Sequence, residues 1–299
     1  MAFSGMMAGM DEDARIARWT AGWPAVPGVL RGPGDDCALA AGPPRGCVAV
    51  LKTDSVLEGV HFTRRDPAAW VGRKALARAM SDFAATGARP VAVLAACLLP
   101  SGGKSGAYMD RAMAGMAAAA RRWGIGLAGG ETTRAPVLGL TASLYGWVER
   151  KTAVARSGAR AGDVLCVTGQ LGGSRAGHHL RFEPRLAEGQ WLARGGWVRA
   201  MMDLSDGLGK DLPRLARASG LSFLIDPEKL PRRRGVDAVR AVNEGEDYEL
   251  LFAVAPERIE ALRRNWPFRT PWTDFGVLLP RRLKPETGGI PFRGYDHFA

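Results

Sequence analysis

Short runs of apolar, β-branched residues alternate along this chain with longer alanine-rich stretches whose apolar positions recur at helical spacing. That alternation predicts a mixed α/β protein. Cys47 to Leu51 (CVAVL) reads as a strand ending in the polar segment Lys52-Thr53-Asp54. Trp70 to Ala85 carries a helical pattern that stops near Gly87 and Pro90. Val91 to Leu99 is strand-like and closed by Pro100, and Tyr108 to Trp123, rich in Ala and Met, predicts a helix capped by Gly124. Val137 to Val148 reads as the next strand.

The stretch ERKTAVARSGARAGD (residues 149–163) interrupts this pattern with polar, basic and glycine residues, and the strand VLCVTG follows it. A domain boundary is placed there, giving residues 1–149 and 150–299. Two domains of roughly 100–200 residues each suit the length. The second half predicts a helix over 206–219, strands over 221–225 and 248–254, and a loop-like end over 281–299 that finishes in aromatic residues. Residues 1–10 read as a mobile tail, and neither an internal repeat nor a low-complexity block stands out.

Hydrophobic content of 46% and charged content of 24% are those of a globular protein with a full core. The longest apolar run, Val91 to Leu99, falls far short of the ~20 residues of a membrane span. The N-terminus lacks a basic region and turns acidic at once, unlike an export signal. Cys37, Cys47, Cys97 and Cys166 have no metal or redox spacing, so they are read as reduced thiols, mostly buried, in a cytoplasmic protein. A net charge of +11 invites a nucleic-acid partner, but the arginines are scattered, and the densest run is only Arg232-Arg233-Arg234. The charge is read instead as a field that concentrates anionic small molecules, with no nucleic-acid or membrane partner.

Two motifs are decoys. Gly103-Lys104-Ser105 has the end of a phosphate-binding loop, but position 98 is Leu where that loop needs Gly, so an ordinary loop is expected. Gly169 to Gly177 (GQLGGSRAG) misses the dinucleotide-binding spacing and reads as a loop that lets backbone approach a neighbour. The acids are more informative: Asp35 and Asp36, Asp54 at a strand end, Asp82 among apolar neighbours, Glu131 after a glycine pair, Asp203 and Asp206, and Glu246, Asp247 and Glu249. Singly, each has a structural reading as a cap or turn. Together they form an oxygen-only donor set, which favours Mg²⁺, Ca²⁺ or Mn²⁺ and suits Mg²⁺-nucleotide chemistry.

The ordered segments GPGDDCAL, KTDSVLEGVHF, KALARAMSDFAATGARP, GGETTR, RSGARAGDVLCVTG, DLSDGL, GEDYELLF and GYDHFA run nearly end to end from residue 31. This set resembles the thiamine-monophosphate kinase family of the aminoimidazole-ribonucleotide-synthetase-like superfamily. The resemblance implies two α/β domains, with the N-terminal domains of two subunits pairing into a β-barrel in a homodimer. It also implies direct in-line transfer of a phosphoryl group from ATP to thiamine monophosphate, giving thiamine diphosphate, with no covalent nucleophile. By the same resemblance Asp36, Thr53, Asp54, Asp82, Glu131, Asp203 and Asp206 are expected to hold Mg²⁺. Gly130, Glu131, Arg156, Ser205 and Tyr108 are expected at ATP, and His61, Glu246 and Tyr295 at the substrate.

Three positions depart from the family pattern. Lys52 stands where a small hydroxyl residue is usual, Glu131 replaces an aspartate, and Glu244 replaces the first glycine before Glu246. An ammonium at 52 would repel a metal, or substitute for one while holding phosphate. Alternative readings are a superfamily enzyme acting on another small anionic substrate and a catalytically weakened nucleotide-binding protein.

Overall fold

The computed structural model describes residues 12–34 and 36–296. The expected tail, Asp35 and the last three residues of the GYDHFA segment lie outside the described residues. The chain divides into two compact units. One takes the residues up to Pro43, Leu51–Ala79 and Pro90–Gly146; the other takes Pro44–Val50, Met80–Arg89 and the chain from Trp147 onward.

The first half of the chain runs α1 (Glu12–Thr20), β1 (Val29–Arg31), β2 (Leu39–Ala40), β3 (Cys47–Leu57), α2 (Ala68–Thr86), β4 (Arg89–Leu99), α3 (Gly103–Trp123), β5 (Gly126–Arg134) and β6 (Gly139–Glu149). Strands β3, β6, β4 and β5 form one sheet in that order, with β4 and β5 parallel. Helices α2 and α3 touch backbone to backbone. A Cβ on Gly72 would stand 1.8 Å from the Ala112 carbonyl oxygen, and one on Gly115 would stand 2.0 Å from that of Ala69. Only glycine permits that approach.

Strand β5 was not foreseen, because the glycines of GLAGGETTR mask any strand pattern. Its glycines serve the pairing: Gly130 lies opposite Ala95, and a Cβ there would come within 1.9 Å of the Ala95 carbonyl oxygen. Helix α3 starts five residues before the expected Tyr108, so the Gly-Lys-Ser decoy is its first turn rather than a loop.

The second half runs β7 (Val164–Thr168), α4 (His178–Arg181), α5 (Leu186–Arg194), β8 (Ala200–Asp203), α6 (Leu208–Ala218), β9 (Leu221–Ile225), α7 (Ala238–Asn243), β10 (Leu250–Val254), α8 (Ile259–Asn265) and β11 (Trp272–Pro280). Its sheet has the order β8-β10-β7-β11-β9 and is antiparallel throughout. Both faces are buried. Leu251 and Ala253 of β10 join α6 residues Leu212 and Leu215 on one side, and Leu250, Phe252 and Val254 join Leu192 and Leu262 on the other. A strand covered on both faces reads as a continuous apolar run. The glycine-rich segment 169–177 is a close-approach loop: a Cβ on Gly172 would lie 2.9 Å from the Ala241 Cα.

No helix among the described residues is long and apolar enough to cross a membrane. All four cysteines are free thiols, but only Cys97 and Cys166 are buried; Cys37 is exposed, contrary to expectation.

The α2–α3 contact yields a direct test. Gly115→Ala must push the two helices apart and is expected to cost about 1–3 kcal/mol in urea unfolding. An unchanged unfolding midpoint would show that the helices separate freely.

Candidate active site

Strand alternation sorts the candidates in the first unit. Side chains at 51 and 53 are exposed, whereas those at 52 and 54 are partly buried, so Lys52 and Asp54 share a face that Thr53 does not. The Thr53 hydroxyl lies 2.8 Å from that of Ser143, and Ser55 pairs in the same way with Thr141 at 2.7 Å. Leu51 and Leu94 are exposed, and a cavity of about 420 Å³ is lined by Leu51, Thr53, Leu94, Ser143 and Tyr145, with Lys52 also reaching its wall.

Asp54 lies between two cations. Lys52 Nζ stands 3.4 Å from its Oδ2, and an Arg78 guanidinium nitrogen stands 3.8 Å from its Oδ1. Oδ2 is buried yet makes no hydrogen bond among the described residues. Arg78 is itself fixed by donating to the Ser55 carbonyl at 3.0 Å.

His61 is held at both ends. Its Nδ1 accepts the Leu57 N–H at 3.1 Å, and its carbonyl accepts from the fully buried Lys74 ammonium at 2.8 Å. A neutral imidazole that accepts at Nδ1 carries its hydrogen on Nε2. Gly130 and Glu131 line a second cavity, of about 260 Å³, with Pro33, Gly34, Trp19 and Cys97. Glu131 is exposed and turns back to accept the Thr132 N–H. Asp36 is exposed. Tyr108 has a packing place: it is 7% exposed, stacks on Phe62 and donates its hydroxyl to the Asp66 carbonyl at 2.9 Å. Burial pushes its phenol up to about 12.

In the second unit several candidates are knitted together by backbone. Asp203 ends β8 and is buried. The Glu246 N–H donates to the Ser205 carbonyl at 2.7 Å, and the Tyr295 N–H donates to the Asp206 carbonyl at 2.8 Å. The acid loop 203–206, the Glu246 loop and the C-terminal segment therefore meet. Asp211, which sequence reasoning passed over, fixes the first of these. Its Oδ2 accepts the N–H groups of Ser205 and Asp206 at 3.0 and 2.9 Å, and Arg214 bridges Asp211 and Asp206 at 2.7 Å each.

Glu246 and Tyr248 hold left-handed backbone at φ 66° and 53°, which is strained for side-chain-bearing residues. His179 Nδ1 lies 3.4 Å from the Glu246 carboxylate, and Tyr248 stacks on Phe182 at 4.0 Å between centroids. Arg175 stands over the Tyr295 ring at 5.8 Å. Below this loop Glu249 takes a two-nitrogen contact from Arg185 at 2.6 and 2.7 Å and the Thr168 hydroxyl at 2.7 Å. Asp82 is half-buried on α2, and Arg156 is exposed with its carbonyl near the Ser219 hydroxyl.

Among the described residues no three His, Cys, Asp or Glu side chains are gathered closely enough to hold a metal by themselves. Mg²⁺ needs only one or two carboxylates when phosphate and water complete its shell. The buried Asp54 oxygen without a hydrogen bond, and an all-oxygen donor set, fit such an ion.

Residues 34–148 match the family model for the N-terminal domain of AIR synthase related protein, and residues 167–265 match its C-terminal domain. A thiamine-monophosphate kinase of Rhodopirellula baltica is 34% identical over 86% of this chain and 83% of its own length. The chain belongs to the thiamine-monophosphate kinase family. Among solved members, the kinase of Stenotrophomonas maltophilia K279a superposes with a TM-score of 0.77 at 30% identity, covering 93% of this chain and 95% of that one. AaThiL complexed with AMPPCP and TMP gives 0.76 at 30% identity, covering 89% and 91%. Tyr295 lies beyond the second matched domain, and its N–H reaches back into that domain at the Asp206 carbonyl.

His178, beside the Glu246 loop, provides a pH test. Its Nε2 is buried without a hydrogen bond, and burial, followed by the nearby Arg233 charge, lowers its pKa from 6.5 to about 4. The unfolded chain takes up this proton near the ordinary value, and the folded chain only near 4. The stabilising contribution is therefore complete above about 6.5 and lost as the pH falls towards 4. His178→Gln is expected to lose less Tm than wild type between pH 7.5 and pH 5, read by thermal melts in matched buffers. Parallel losses would show that the ring is solvated.

Proposed function

We propose that this chain transfers the γ-phosphoryl group of ATP to thiamine monophosphate, forming thiamine diphosphate and ADP in a Mg²⁺-dependent reaction. The observation that carries the reading is the meeting of the Asp203–Asp206 loop, Glu246 and Tyr295, in a chain similar throughout to a kinase bound to AMPPCP and TMP. The reaction is direct: a phosphate oxygen of thiamine monophosphate attacks the γ-phosphorus in line, and the bond to the ADP oxygen breaks. Such a transfer asks the protein for positioning and charge neutralisation rather than for a nucleophile.

Asp36, Thr53, Asp54, Asp82, Glu131, Asp203 and Asp206 are the residues proposed to hold Mg²⁺, which supplies neutralisation of phosphate charge when bound. Gly130, Glu131, Arg156 and Ser205 are the residues proposed to contact the nucleotide, with Arg156 offering a guanidinium fork suited to phosphate. His61, with its ring fixed through Nδ1, presents Nε2–H as a donor to the substrate. Glu246 offers a carboxylate and Tyr295 an aromatic face. The exposed apolar positions Leu51 and Leu94 on the first sheet support pairing with a second copy of this chain, and the unpaired cysteines support a cytoplasmic setting. One observation favours a second reading, nucleotide binding with weakened turnover: the Lys52 ammonium beside Asp54.

The test is an assay of purified protein with ATP, Mg²⁺ and either thiamine monophosphate or free thiamine. Thiamine diphosphate from the monophosphate alone, abolished by chelation, is expected. Asp54→Asn should lower kcat by on the order of a hundredfold or more with an unchanged Tm. Nucleotide binding without product would favour the second reading, and wild-type turnover in Asp54→Asn would remove that residue from the site.

A further inference from the structure

Two cations stand at the Asp54 carboxylate. Lys52 and Asp54 are two residues apart on β3 and project from the same face. Each carboxylate oxygen has its own cation, Lys52 at Oδ2 (3.4 Å) and Arg78 at Oδ1 (3.8 Å). The three side chains are only 31%, 17% and 13% exposed for Lys52, Asp54 and Arg78, so water screens them incompletely. Neither contact is short enough to be a hydrogen bond, and Oδ2 keeps its lone pairs uncommitted. Asp54 thus retains the capacity to ligate a cation, but a fixed ammonium already stands at the oxygen that would do so.

We propose that Lys52 is a built-in monovalent cation that competes with divalent metal at Asp54, so that this chain binds metal there weakly and only when the ammonium is displaced. The proposal deepens the Mg²⁺-nucleotide reading and rests on it for the physiological role. The competition itself follows from the ammonium standing at the Asp54 oxygen. Like charges this close repel appreciably where water screens them incompletely, and a divalent ion doubles the repulsion felt from a monovalent one. Movement of the flexible lysine stem and partial solvation reduce the effect, but a clear change in affinity survives. Arg78, anchored to the Ser55 carbonyl, adds a constant background that the lysine substitution does not alter.

The experiment titrates Mn²⁺ alone, without nucleotide, into wild type, Lys52→Ser, Lys52→Arg and the double variant Lys52→Ser/Asp54→Asn. Free Mn²⁺ is followed by electron paramagnetic resonance at fixed ionic strength. Lys52→Ser is expected to bind Mn²⁺ tighter than wild type by on the order of tenfold. Lys52→Arg, which keeps the charge, should stay weak, and the double variant should lose the gain. Matching isotherms for wild type and Lys52→Ser, both with native Tm, would overturn the proposal, as would a gain that persists without the Asp54 carboxylate. Failure of the kinase reading is separate: it would show as no thiamine diphosphate from wild type at any metal concentration, while the Mn²⁺ isotherms still differ.

Discussion

Asp211 is a carboxylate with no exposed surface, and the candidate site in the second unit depends on how that burial is satisfied. A buried carboxylate is tolerable only when donors surround it. Here the donors are two backbone N–H groups of the Ser205-Asp206 loop and one arginine. The requirement works in both directions: the acid needs the loop, and the loop is held in one conformation by the acid. Burial still outweighs these donors enough to raise the pKa of Asp211 to about 6. From the fixed loop, the carbonyls at 205 and 206 accept the N–H groups of Glu246 and Tyr295, so one unexposed side chain helps to set the position of both.

The first unit arranges its polar groups by a different rule, the two-residue period of a strand. Alternation on β3 sends the charged pair Lys52 and Asp54 one way and the hydroxyls of Thr53 and Ser55 the other. One short segment thereby supplies an electrostatic face and a neutral hydrogen-bonding face. The exposed leucines belong with the neutral face, where an ordered charge would be costly to cover.

How much of this was legible in the sequence varies with the physical signal. Strands such as β4 and β10 are continuous apolar runs, and α2 and α3 have clear periodicity, so they were readable. Strand β5 was not, because its glycines answer to a neighbouring backbone that no local pattern reveals. The acids at strand ends stood out, and the parity of 52 and 54 could be counted, but not which face the parity selects. Asp211 did leave a trace. It sits with Leu208, Leu212 and Leu215 on the buried stripe of α6, and an acid on an apolar stripe needs a partner. Tyr108, expected at ATP from the resemblance, packs in the core with its hydroxyl on the Asp66 carbonyl, as an isolated tyrosine on a helix commonly does.

The left-handed backbone at Glu246 bears on how such a chain drifts over generations. A residue with a Cβ in that conformation costs of order 1 kcal/mol or more that glycine would not. The fold alone would therefore favour glycine at this position, and any pressure for thermal robustness without pressure for activity would erase the carboxylate first. At Glu246, then, backbone stability and the carboxylate pull in opposite directions.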